Sequence, residues 1–174
     1  SNIANFEANI NIDKNIYKVQ SKIDLKEYVK TTFNLQAKGD LEKVEFILKN
    51  DVLKIEQDKQ IVDIKDIKLF GNYDLKSFDL DITKLDALLK YNEISSNIKA
   101  NASMKNNEID SLLFEVDLQT SIKRSISELL QKDLQVNTKL NGNLKKIKFF
   151  SKVEENAIKI DEELIKIENI ILDG

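Results

Sequence analysis

Apolar and polar residues alternate along most of this chain. Ala4, Phe6, Ala8, Ile10 and Ile12 occupy every second position, which is the signature of a half-buried strand. Asp13-Lys14-Asn15 reads as a turn, and Tyr17, Val19, Ser21 and Ile23 as the return strand of a hairpin. The same pattern predicts strands through Phe33, Leu35, Ala37 and Gly39, then Val44, Phe46 and Leu48. Further on it predicts Ile98, Ala100, Ala102 and Met104, paired with Leu112, Phe114 and Val116 across a turn at Asn106-Asn107. Asn tolerates a positive φ better than most residues. Val136, Thr138, Leu140 and Gly142 lead in the same way into Ile147 and Phe149.

Three places change period. Leu25, Tyr28 and Val29, then Leu85, Leu88 and Leu89, then Ile126, Leu129 and Leu130 are spaced as one face of a helix. Each set follows Asp24, Thr83 or Ser125, with Glu27, Asp86 or Glu128 three residues later, which reads as a capping box. Such short helices are not stable alone in water, so each is expected to pack on the sheet.

One stretch occurs twice. Moved by 103 residues, Gly39–Gly71 falls on Gly142–Gly174 without a gap. Leu41/Leu144, Phe46/Phe149, Lys49/Lys152, Ile55/Ile158, Ile64/Ile167 and Leu69/Leu172 are among the identities, and both ends are glycine. This marks a supersecondary unit used more than once. The four glycines, Gly39, Gly71, Gly142 and Gly174, are expected at strand ends or bulges.

The predicted fold is mainly β with short helices, a β-rich α+β class. It is a long curved antiparallel meander carrying an internal repeat and three short inserted helices. Alternation alone leaves an open trough, a partly closed barrel and a sandwich equally available. Residues 1–174 read as a single β-rich repeat domain. Ser1-Asn2 and a last repeat copy that stops on its boundary glycine predict a fragment of a longer protein.

Composition narrows the chemistry. With no His, Cys, Trp or Pro, the usual zinc ligands, thiol nucleophiles and histidine-based triads are excluded. The 27 basic residues are spread evenly and offset by 30 acidic ones, so no nucleic-acid footprint exists. Asp79 and Asp81 share a strand face and, with Asp86, could hold a hard cation, but a solvated strand face explains them as well. No cofactor, metal or enzymatic activity is expected.

The remaining candidate site is the apolar face. Phe33, Leu35, Phe46, Leu48, Ile98, Ala100, Met104, Leu112, Phe114, Val116, Val136, Leu140 and Phe149 would line it. It is either an ordinary closed core or a groove open to acyl chains. A large exposed apolar surface usually serves binding.

Two stretches carry a family resemblance. FDLDITKLDALLKYNEISSNIKANASMKNNEIDSLLFEVDL, residues 78–118, and GDLEKVEFILKN with its counterpart GNLKKIKFFSKV together resemble the AsmA-like proteins, the group that includes TamB. The resemblance implies an elongated sheet with an apolar channel, a periplasmic location and a parent chain anchored in the inner membrane of a Gram-negative cell. It also implies a role in phospholipid transport or outer-membrane biogenesis. Expected partners are phospholipid or another acyl-chain ligand, neighbouring repeats of the parent chain and other envelope proteins. The alternative expectation is a structural or protein-interaction β domain with a closed core.

Overall fold

A computed structural model describes residues 4–13, 16–25, 31–57, 60–154, 156–160, 163–167 and 170–174. In chain order the strands are β1 (Ala4–Asp13), β2 (Ile16–Leu25), β3 (Thr31–Gly39), β4 (Lys43–Gln57), β5 (Gln60–Asp74), β6 (Leu80–Tyr91) and β7 (Ile94–Met104). There follow β8 (Leu113–Ile122), β9 (Leu134–Gly142), β10 (Ile147–Val153), β11 (Asn156–Ile160), β12 (Glu163–Ile167) and β13 (Ile171–Asp173). Eleven of them form one antiparallel sheet in the order β1 to β10 and then β13, and β11 and β12 form a separate hairpin. The first and last strands of the large sheet do not pair, so the sheet is open and neither a barrel nor a partly closed one.

The expected helices are not present among the described residues. Leu85, Leu88 and Leu89 lie inside β6, and around Ile126 there is only a single 3-10 turn, Arg124–Ile126. The first expected helix falls on residues 26–30, outside the described residues. Within β6, Leu88 faces away from Leu85 and Leu89, opposing Lys65 and Asn97 while Leu85 and Leu89 oppose Leu69 and Ile64. Ile82 pairs with Ala102 and Leu85 with Ala100, so Thr83 and Lys84 together oppose one residue of β7. This β-bulge inserts one residue and returns the next apolar side chain to the same face. Ile82, Leu85, Ala87 and Leu89 then share that face without any helix.

The sequence repeat is a repeat of pairing. Each registered pair of β10 with β13, and of β11 with β12, is a β4–β5 pair moved by 103 positions. Ser151↔Leu172 repeats Leu48↔Leu69, and Asn156↔Ile167 repeats Leu53↔Ile64. The turns repeat too. Asp40 accepts bonds from the Glu42 and Lys43 amides, and Asn143 from those of Lys145 and Lys146.

A Cβ would meet an aromatic ring at Gly71 and Gly174, and the backbone of Lys43 and Lys146 at Gly39 and Gly142, though all four glycines face an aromatic residue on the neighbouring strand. Tyr17 pairs with Gly39, Phe46 with Gly71 and Phe114 with Gly142. Phe149 and Gly174 exchange backbone hydrogen bonds of 2.9 and 3.1 Å. Gly71 lies inside β5 at a bulge, one of the two expected settings: Phe70 pairs with Lys84 and Gly71 with Ile82, and a Cβ on Gly71 would meet the Phe46 ring at 2.5 Å.

Strands pack substantially only on their sheet neighbours, so no second layer covers either face of the described sheet. No apolar side chain among the described residues is buried; those that are buried are polar, namely Ser21, Thr31, Asn50, Ser96 and Asn156. Accessible surface shows the same openness. The chain exposes 12511 Å², against the roughly 8,700 Å² expected of a compact protein of about this mass.

Candidate functional site

Pairing carries two apolar rows across the sheet. One runs Ile10, Val19, Ala37, Phe46, Gly71, Ile82, Ala102, Phe114, Gly142, Ile147. The next runs Ala8, Ser21, Leu35, Leu48, Leu69, Leu85, Ala100, Val116, Leu140, Phe149. Directly opposed side chains in such a ladder are about 5 Å apart, close enough to form one continuous surface. Leu35, Phe46, Leu48, Ala100, Phe114, Val116, Leu140 and Phe149 thus come together from strands far apart in sequence.

The other predicted residues flank these rows. Ile98 faces Leu118, Val136 lies between Thr120 and Val153, Met104 pairs with Leu80, and Phe33 pairs with Ile23. Leu112 sits at the margin of the sheet. It lies one residue before β8, extended and half-buried at the end of the 3-10 turn Ile109–Ser111, in phase with Phe114. The next two rows on this face mix polar with apolar residues: Ser96 bonds to Thr120 at 2.9 Å and Thr138 to Ser151 at 2.8 Å.

Leu69, Ile82 and Leu85 belong to the surface and were not among the expected residues. Leu69 carried a signal, its identity with Leu172 in the repeat. Ile82 and Leu85 were hidden by the bulge between them.

A hollow of about 400 Å³ opens on this part of the sheet. Val19, Ala37, Phe46, Gly71 and the bulge residue Thr83 border it together with Gln36, Lys38, Glu45, Ile47, Phe70 and Asn72, residues that alternate to the opposite face. Its size is within the range of small-ligand pockets.

The opposite face carries a row of charge beside the apolar Ile47–Phe70 pair, Leu113 and Phe150. Lys68, Asp86, Lys99, Asp117 and Lys139 oppose one another in sequence across five strands, with alternating sign. Such exposed pairs contribute roughly 0.2–1 kcal/mol each. Here they keep one face in water while the other stays apolar. Asp79 does not join Asp81 and Asp86 in a cluster; it holds the Lys105 ammonium at 2.8 Å and accepts the Asn106 amide. Both contacts hold the Asp79 carboxyl below the ordinary carboxylate value, the Lys105 bond being the larger cause. Among the described residues no three carboxylates gather as a metal site. No described helix is long and apolar enough to cross a membrane, which says nothing of strands.

Compared with family models, curated proteins and solved structures, the chain matches none.

Proposed function

We propose that this chain is a non-enzymatic module that binds lipid acyl chains along the apolar face of its open sheet. The observation that carries the reading is the pair of apolar rows spanning the sheet with no second layer above them. Covering an acyl chain gains about 0.8 kcal/mol per methylene removed from water. A face that shields one side of the chain recovers about half of that. The mechanism is passive: the acyl chain lies along Phe46, Leu48, Val116 and Leu140, the headgroup stays in water, and no covalent step occurs. The AsmA-like resemblance places such a module in a Gram-negative periplasm, within phospholipid transport or outer-membrane biogenesis. That setting rests on the resemblance.

The test is native mass spectrometry of the purified protein with lipid extraction alongside. Bound phospholipid that is reduced by Phe114→Asp in a folded protein supports the reading. A clean protein mass with no extractable lipid, in protein purified from a membrane-containing lysate, contradicts it.

A further inference from the structure

Successive turns of a meander alternate between its two ends, so the turns β3–β4, β5–β6, β7–β8 and β9–β10 share one end of the sheet. Each of these four turns carries a large apolar side chain in the open. Leu41, Phe78, Ile109 and Leu144 are 64%, 52%, 59% and 57% exposed.

The turns themselves do not require these residues. Asp40 closes the β3–β4 turn and Asn143 its repeat equivalent, both by accepting two backbone amides. Between the copies Asp40 becomes Asn143 and Glu42 becomes Lys145, yet leucine stays at the tip as Leu41 and Leu144. Phe78 is held at φ 57°, a left-handed conformation that bulky residues rarely take. The other described non-glycine residues with positive φ are Asp or Asn. Its carbonyl accepts the Asn107 amide at 2.9 Å, which fixes the ring-bearing turn to the next one.

The four tips are spaced rather than clustered. Two strand intervals, about 10 Å, separate each from the next. Ion pairs fill the gaps: Lys76 with Glu42, Lys105 with Asp79, and Lys145 with Asp110. A protein partner is met by a contiguous apolar centre with polar groups around it. Here apolar and charged groups alternate along a line. A fluid lipid surface takes such anchors one at a time and leaves the lysine ammoniums among the headgroups. The apolar row through Phe46 and Phe114 starts a few residues in from the tips.

We propose that this rim docks on the surface of a phospholipid bilayer, from which the apolar face takes up its acyl chain. The uptake rests on the acyl-chain reading above; the docking does not. A single dissolved acyl chain offers such spaced tips nothing to enter, whereas a bilayer does.

The probe is phosphatidylcholine vesicles, mixed with the whole chain and separated by flotation. The chain has no Trp, so a single introduced one reports its own surroundings. Vesicles are expected to blue-shift the emission of Leu41→Trp and of Ile109→Trp. They are expected to leave Glu93→Trp, in the β6–β7 turn at the opposite end, unmoved. Leu41→Ser combined with Ile109→Ser is expected to weaken vesicle binding by about tenfold or more. Both side chains are exposed, so the fold is expected to persist, which circular dichroism checks. Phe114→Asp is expected to lose retained phospholipid and still float. Absence of flotation, an equal shift at Glu93→Trp, or unchanged binding of the paired Ser variant overturns the docking. Phospholipid retained by a protein that does not float leaves the acyl-chain reading standing and overturns this proposal alone.

Discussion

The ring of Phe46 lies against Gly71 so closely that a Cβ on Gly71 would meet Phe46 Cζ at 2.5 Å. Asp81 O, a backbone atom, is 2.8 Å from the same point. Gly71→Ala therefore forces both a ring and a strand to move. Overpacking of this kind costs roughly 1–3 kcal/mol. At Gly174 the nearest atoms all belong to the Phe149 side chain, which can swing away. Urea unfolding is expected to show Gly71→Ala clearly less stable than the parent and Gly174→Ala nearly unchanged.

Asn50 is 3% exposed and holds the start of β3. Its amide donates to Thr31 Oγ1 and, at 2.7 Å, to the Thr32 carbonyl, while Thr31 Oγ1 donates to the Val52 carbonyl at 2.9 Å. Asn50→Ala leaves buried acceptors without a donor, which costs about 1–3 kcal/mol. Asn50→Asp places a carboxylate where those acceptors need a donor, so it is expected to lose more. Thermal unfolding of the two variants against the parent checks the order.

The two equivalent turns predict a difference in pH response. The amides of Glu42 and then Lys43 hold the Asp40 carboxyl below its ordinary value. A depressed carboxyl stabilises the fold above its ordinary titration range, and that contribution is lost as pH falls through the depressed value. Asn143 makes the same two bonds at 2.9 Å without titrating. Acid titration by NMR is expected to shift the Glu42 and Lys43 amides and to leave those of Lys145 and Lys146 unmoved by their own turn. Asp40→Asn is expected to keep the turn and abolish the response.

Much of the fold was legible in the sequence because strand alternation is a direct print of a two-faced sheet. Ala37, Phe46, Phe114 and Leu140 were read onto one face, and the pairing puts them there. The repeat was legible to its register, since Leu69 and Leu172 occupy equivalent pairs. Bulges were not. Leu85, Leu88 and Leu89 imitate a helix face because Leu88, on the polar face of β6, is itself apolar, and nothing in Thr83 or Lys84 announces the bulge between Ile82 and Leu85. The meaning of glycine was also hidden. Gly71 marks the resting place of Phe46 from a neighbouring strand, a relation that depends on register. Openness of the sheet could not be read at all, because alternation is identical in a barrel and an open sheet.

Acyl chains are expected to lie along Phe46 of the first row and Leu48, Val116 and Leu140 of the second. The most direct measurement is methyl NMR of the whole chain with a spin-labelled fatty acid. Broadening of the Leu35, Leu48, Val116 and Leu140 methyls, with Ile109 and Leu144 at the turn tips spared, is the predicted result. Broadening at the turn tips alone, or none at saturating fatty acid, would contradict it.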